Sequence, residues 1–271
     1  MLLSVVIITW NAQRDVKQCI DSILDAVGQY TSEIIVTDNG SKDETLSILK
    51  TYKEKINLIC LKKNKGVAFA RNICMKAAKG EFIWILDVDT VVNKEAISGM
   101  IDYLKNNHNC GICACRLQSE DGEIQDSCRK FPYPKHKIRN LIISNFNSFL
   151  PRNIYNNIKK KNESQFYRKE LHENQPFEIE YVIGACQLFR KSILDEVGYL
   201  DEKIFYGPED ADFCRRIKNK GYKIICLPAF CIIHHYNRIS NRKFFTKMTL
   251  HHFKGLLRFY VKISKNKILL R

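Results

Sequence analysis

From residue 3 to residue 104 the chain repeats one arrangement four times: a short apolar run, a polar turn, then apolar residues at helical spacing. The runs occupy residues 3–8, 33–37, 57–61 and 82–86. The helical patterns occupy 16–27, 46–49, 67–78 and 95–104, the third closed by Gly80. Strands separated by helices in this way pair in parallel, with helices covering both faces of the sheet. The order therefore predicts an α/β core. It also predicts where polar residues gather, because ligands of such sheets sit beyond the carboxyl ends of the strands.

Past residue 110 the pattern changes. Residues 111–117 and 123–128 read as two strands around the turn Glu120-Asp121-Gly122, so the sheet is expected to become mixed. Ile138, Leu141, Ile142, Phe146 and Phe149 form a helical stripe. Residues 151–176 are polar and Lys/Asn-rich, and read as a long loop or a frayed helix of the kind that often covers a site. Residues 181–189 read as one strand, 191–197 and 208–220 as helices stopped by Gly198 and Gly221, and 223–227 and 230–234 as late strands. With 271 residues, 45% of them hydrophobic, the chain can bury one main core. We assign it to 1–240, in halves 1–115 and 116–240, followed by a tail at 241–271.

The net charge of +15 belongs mainly to that tail, which from Asn237 onward carries ten Lys/Arg and no Asp/Glu. Phe245, Met248, Leu256, Phe259 and Ile263 fall there at helical spacing. A basic amphipathic helix of this type suits peripheral contact with an anionic membrane, with packing on the domain or dimer formation as alternatives. The charge would also suit a nucleic-acid-binding protein. Its confinement to one end and the lack of an aromatic-basic RNA-binding signature argue that nucleic acid is not a partner. No stretch reaches the roughly 18 apolar residues of a membrane span, and MLLSVVIITW lacks a basic start and a cleavage site, so a cytoplasmic location is expected. Eleven scattered cysteines, several in apolar runs (Cys60, Cys74, Cys226, Cys231), predict reduced, buried thiols. Cys110, Cys113 and Cys115 read as strand residues before they read as zinc ligands.

Three polar clusters end the predicted strands: Thr9-Trp10-Asn11, Asp38-Asn39 and Asp87-Val88-Asp89. On an extended backbone Asp87 and Asp89 point the same way, and two such carboxylates repel unless a cation lies between them. Hard oxygen ligands suit Mg²⁺ or Mn²⁺, and His234, after the apolar AFCII, can complete the set. Asp38 can accept a hydrogen bond from a base imide, Trp10 can pack on a ring, and Arg71 can lie along phosphate oxygens. In FYGPEDADFCRR the acids Glu209, Asp210 and Asp212 start a helix, where they either complement its dipole or include a general base.

Seven segments occur in an order that resembles the inverting family 2 glycosyltransferases of GT-A fold, especially rhamnosyltransferase-like enzymes of bacterial surface polysaccharide synthesis. They are SVVIITWN, IIVTDNGSKDET, NKGVAFARN, WILDVDT, YVIGACQLFRKSILDEVGYLDEKIF, GPEDADFCRRIKNKGY and IIHH, spanning Ser4 to about Ser240. The resemblance implies a Rossmann-like, nucleotide-sugar-binding half, an acceptor half and a mixed central sheet, with a basic amphipathic helix at the end. It implies that Thr9, Trp10, Asn11 and Asp38 hold the nucleobase, and that Asn64, Gly66 and Arg71 lie near ribose and phosphate. Asp89 would bind Mn²⁺ or Mg²⁺ directly, with Asp87 on ribose or sugar and His234 reaching the metal. Gly184, Ala185 and Phe205 would border sugar and acceptor, and Asp210, beside Glu209, would be the base. The implied donor is UDP- or dTDP-linked and the acceptor a glycan or lipid-linked glycan, met at the cytoplasmic face of the inner membrane. A nucleotidyltransferase on a related sheet is the nearest alternative, and would have no use for the Glu209-Asp210 and His234 segments.

Overall fold

The computed structural model describes residues 1–145, 150–235 and 247–269. Its first part runs β1 (Leu3–Thr9), α1 (Val16–Ala26), β2 (Ser32–Asp38), α2 (Thr45–Lys50), β3 (Asn57–Cys60), α3 (Val67–Ala77), β4 (Phe82–Asp87), β5 (Thr90–Val91) and α4 (Lys94–Asn106). Strands β3, β2, β1 and β4 lie side by side in parallel, as the sequence predicts. Alternate residues of each strand face opposite layers. Val5, Ile7, Trp84 and Leu86 pack under α1 and α4, whereas Val6, Ile35, Ile83 and Ile85 pack under α3. Asn93 caps α4 by accepting from Ala96 N at 2.8 Å.

The second part runs β6 (Cys110–Gln118), β7 (Cys128–Arg129), α5 (Pro134–Asn145), α6 (Arg152–Glu163), α7 (Arg168–Leu171), β8 (Phe177–Ile179), β9 (Tyr181–Val182), β10 (Cys186–Arg190), α8 (Ile193–Val197), α9 (Glu209–Asn219), β11 (Lys223–His234) and α10 (Lys247–Leu269). β10 enters antiparallel between β4 and β6. β11 runs parallel to β6 and carries β5 and β8 antiparallel, so the sheet is mixed.

Four expectations for this part change. The hairpin at 111–128 shrinks to a single bridge, Gln118 to Ile124. Ser119 tightens the turn through Gly122 N and Glu123 N, and β7 leaves to pair with β9 in a separate two-stranded sheet. The strand expected at 181–189 breaks at Ile183-Gly184-Ala185, where the Gly184 carbonyl turns to Arg71. Residues 151–176 contain α6 and α7. α6 buries none of its residues, so it adds no apolar stripe to the core and matches the frayed-helix alternative. The two late strands are one, β11, with register shifts between Lys223 and Ile224 and between Leu227 and Cys231. Cys60 is exposed, unlike Cys74 and Cys226. Phe146, Phe149 and Phe245 lie outside the described residues.

The tail helix α10 lies on the domain. Leu256 and Phe259 are buried, the Tyr260 hydroxyl donates to the Pro132 carbonyl at 2.7 Å, and Arg258 and Lys262 reach Asp201 at 2.6 and 3.1 Å. Lys262 also stands 2.7 Å from Asp212. Of the three acids that start α9, Asp212 is thereby committed to holding the tail, together with its hydrogen bond from Arg216.

Candidate active site

Strand register brings the polar clusters together. Thr9 is paired with Asp38, and Ile8 with Asp87, so the ends of β1, β2 and β4 open on one edge. They border a cavity of about 570 Å³ lined by Thr9, Trp10, Asn11, Asn39, Asn64, Gly66, Asp87, Asp89, Phe205 and His234, among others. Trp10 is 41% exposed at this cavity, leaving a ring face free for a flat partner. Asn11 takes a left-handed conformation, φ 51°, that asparagine tolerates. Its amide donates to Ser41 Oγ at 2.9 Å, and its side chain accepts from Lys42 N at 2.8 Å.

Asp38, expected to meet a base, is only 1% exposed, and its carboxylate accepts from Thr9 Oγ1 at 3.0 Å and from Ser41 Oγ at 2.5 Å. It fastens the floor of the cavity. Asn39 does the same for the next wall, donating to Asn64 Oδ1 at 3.1 Å and accepting from Lys65 N at 2.9 Å. Gly66 has φ 93° and packs against Phe205, where a Cβ would collide with backbone; Val67 N donates to the Phe205 carbonyl at 2.8 Å.

At the far end of the cavity, one ligand atom from each of Asp87, Asp89 and His234 lies within 4.8 Å of the others. The sequence puts two of these on one strand end. The third arrives because β11 pairs His234 with Thr90 of β5, while His235 N donates to the Asp89 carbonyl at 2.7 Å. His234 Nε2 stands 3.3 Å from Asp89 Oδ1. Its Nδ1 bonds to Gln125 Oε1 at 2.6 Å, and Gln125 Nε2 donates back to the His234 carbonyl at 2.7 Å. That exchange makes Nδ1 the donor and turns Nε2 to the carboxylates, where it holds either a proton or a metal. Two carboxylates and a neutral imidazole form a donor set that fits Mn²⁺ or Mg²⁺. Burial works against the imidazolium, but the hydrogen bond and charge of Asp89 outweigh it and raise the His234 pKa.

Arg71 is not on the cavity surface. It is 4% exposed, and its Nη2 donates to Asp87 Oδ1 at 2.5 Å and to the Gly184 carbonyl at 2.9 Å. Its Nη1 lies 3.6 Å from Glu209 Oε1. These contacts turn the Arg71 guanidinium toward Asp87, Gly184 and Glu209. Gly184 lies so close that a Cβ there would fall on the guanidinium. Ala185 accepts from Asp87 N, and their neighbour Ile183 is the residue of this segment that lines the cavity.

Glu209 and Asp210 begin α9 behind this bridge and belong to neither cavity lining. Burial raises the pKa of Glu209, the nearby Asp210 charge adds to that, and Arg71 only partly offsets them, leaving it at about 7. Burial also raises Asp210, against a hydrogen bond from Ala211 N and the charges of Arg129 and Arg71. A second cavity, about 780 Å³, is lined by residues 119–121, 123–126, Arg129, Ile183, His234 and His235. It meets the first cavity at Ile183 and His234. Gln125 and Arg129, which line the second cavity, are positions that the sequence did not single out. Gln125 carried no local signal, since only β11 brings His234 to it.

The sequence model described as Glycosyl transferase family 2 matches residues 4–198. The chain belongs to that family. The chain is 26% identical over 206 residues to the poly(ribitol-phosphate) beta-N-acetylglucosaminyltransferase TarS of Staphylococcus aureus, covering 73% of this chain and 35% of TarS. It is 24% identical over 263 residues to the N-acetylglucosaminyl-diphospho-decaprenol L-rhamnosyltransferase of Mycobacterium tuberculosis, covering 93% of this chain and 81% of the relative. The chain thus spans about a third of TarS but most of the rhamnosyltransferase. Among solved structures, it matches a mannosyltransferase from Pyrobaculum calidifontis in complex with GDP-Man and Mn²⁺, with a TM-score of 0.59 at 18% identity over 88% of this chain and 58% of that one. TarS residues 1–349 in complex with UDP match with a TM-score of 0.54 at 20% identity, covering 86% and 60%. The chain has the GT-A fold.

Proposed function

We propose that the protein is a metal-dependent, inverting hexosyltransferase that moves a sugar from a UDP- or dTDP-linked donor to a hydroxyl of a glycan or lipid-linked glycan in bacterial cell-surface polysaccharide synthesis. The observation that carries this reading is the convergence of Asp87, Asp89 and His234 at the end of a cavity whose other end offers Trp10 and Asn11. The activities named for the two relatives, transfers of N-acetylglucosamine to poly(ribitol-phosphate) and of L-rhamnose to an N-acetylglucosaminyl-diphospho-decaprenol, support the same class.

In this reading Trp10 stacks on the nucleobase, Asn11 and Thr9 flank it, and Asp38 holds that floor in shape. Asn64 and Gly66 border the ribose. Asp89 and His234 hold the metal, and Asp87, oriented by Arg71, contacts the ribose or the sugar. Mn²⁺ or Mg²⁺, when bound, neutralises the diphosphate as it leaves. The acceptor occupies the second cavity and meets the sugar beside Ile183 and Gly184-Ala185, with Phe205 on the opposite wall. Its hydroxyl gives its proton to Asp210, which lines neither cavity but is partly exposed at the start of α9, and the oxygen forms a bond to the anomeric carbon as the bond to the diphosphate oxygen breaks, the electron pair leaving with the diphosphate. One displacement inverts the centre and needs one base and no enzyme nucleophile. The reaction is assigned to the cytoplasmic face of the inner membrane, where nucleotide sugars meet lipid-linked acceptors.

Asp210→Asn keeps the shape and removes the basicity. Turnover is expected to fall by roughly 10² or more while nucleotide binding with Mn²⁺, measured by calorimetry, stays near wild type. Near-normal turnover, or a product retaining the donor's anomeric configuration, would remove Asp210 from this role.

A further inference from the structure

The outward face of α10 is apolar. Leu250, Phe253, Leu257 and Val261 recur at three- and four-residue spacing and are 55%, 57%, 49% and 53% exposed. A helix resting on a domain ordinarily turns charged residues to water and buries its apolar stripe. Here the buried stripe, Leu256 and Phe259, is matched by a second one facing out. Lys247 and Lys254 are exposed beside it.

We propose that this second stripe is an interfacial docking surface for an anionic lipid bilayer, and that it sets the active site at the membrane surface. Charge decides the occupant. The tail carries ten Lys/Arg and no acid. Arg258 and Lys262 are engaged by Asp201 and Asp212, and the tail offers no carboxylate to the rest. A second copy seated on the same face would bring these cations against their own kind. An anionic bilayer supplies both apolar depth for the four side chains and counter-charge for the lysines. Among the described residues no helix is long and apolar enough to cross a membrane, so the contact lies in the interface.

The first turns of α10 also border the donor cavity. Met248 lines the donor cavity, and His251 stacks on Phe205 with ring centroids 4.1 Å apart. One helix, about 10 Å thick, therefore separates the donor cavity from the docking face. A docked enzyme would hold its reaction centre close to the headgroups, within reach of a hydroxyl on a lipid-linked glycan. This deepens the acceptor reading given above and rests on it for its biological sense, whereas its test needs no turnover.

The test is co-sedimentation of the full chain with vesicles of phosphatidylcholine alone and of phosphatidylcholine mixed with phosphatidylglycerol. Anionic vesicles are expected to pellet at least about tenfold more protein than neutral ones. The combined variant Leu250→Ser, Phe253→Ser, Leu257→Ser and Val261→Ser should lose that binding while keeping wild-type circular dichroism and calorimetric binding of UDP with Mn²⁺. Retained vesicle binding in the variant overturns the proposal, as does wild-type protein that stays in the supernatant with anionic vesicles. A concentration-dependent dimer in gel filtration that the variant abolishes would assign the face to self-association and overturn it as well. Loss of UDP binding by wild-type protein would instead strike the glycosyltransfer reading and leave the docking result standing.

Discussion

His234 Nε2 stands 3.3 Å from Asp89 Oδ1 while its Nδ1 is held by Gln125 at 2.6 Å, so one imidazole joins the strand-end acids to a turn more than a hundred residues earlier in the chain. Removing the outer partner frees the ring without touching the carboxylates. Gln125→Leu is expected to weaken Mn²⁺ binding by about 10- to 100-fold, measured by calorimetry or by the quench of Trp10 fluorescence. Unchanged affinity would show that the ring is oriented by something else.

Asp89→Ala removes a ligand rather than its support. The folded variant should lose the enhancement that Mn²⁺ gives to UDP binding, because diphosphate beside the remaining Asp87 is then uncompensated. Metal-dependent affinity equal to wild type would sink the assignment.

Glu209 carries a stability cost that depends on pH. Its folded pKa of about 7 lies above the unfolded value, so the folded state binds its proton more tightly, and stability is lost as pH rises through the folded pKa. Glu209→Gln should therefore raise the thermal midpoint at about pH 8, by the equivalent of about 1–3 kcal/mol, and have little effect near about pH 4. An equal gain at both pH values would mean that charge is not the cause.

Gly184→Ala tests the Arg71 bridge. The added methyl would press on the guanidinium that holds Asp87, and should cost about 1–3 kcal/mol of stability together with weaker donor binding. A variant with wild-type melting and wild-type UDP affinity would show that Arg71 has room to move.

Asp201 anchors the tail. Burial pushes its carboxyl up, but hydrogen bonds from Arg258 and Lys262 win and hold it at about 2. Its contribution is therefore present above the unfolded value near 4 and lost as pH falls toward 2. At neutral pH, Asp201→Asn should cost about 1 kcal/mol, a figure discounted for the partly exposed cations, and should make α10 more open to proteolysis. Cleavage rates in the tail equal to wild type would contradict this anchor.

The first half of the fold was legible because strands buried on both faces read as unbroken apolar runs, and the Asp87-Val88-Asp89 pair announced itself by ending one. His234 was found from its place after AFCII. What escaped reading depends on pairings between distant segments. Gln125 means nothing until β11 meets the turn at 119–126, and Arg71 looks like a phosphate ligand until Gly184 and Glu209 close around it. The tail illustrates the opposite limit. Its inward residues Leu256 and Phe259 were recognised by spacing, but spacing alone could not say which side of the helix meets the domain. Residues 152–163 fold as a helix whose short apolar face, Ile154, Tyr155 and Ile158, is not buried and is surrounded by Lys and Asn, so it did not stand out.

β10 enters the sheet between β4 and β6, although both of those strands precede it in the chain. During synthesis, β4 leaves the ribosome with its inner edge unpaired, and that edge stays open until Cys186–Arg190 has followed. The nascent protein thus exposes a row of ladder groups on its most apolar strand while residues 88–185 are made. The donor half cannot finish its sheet as an early, independent folding unit. Its completion waits on the same later segment that delivers Gly184 to Arg71.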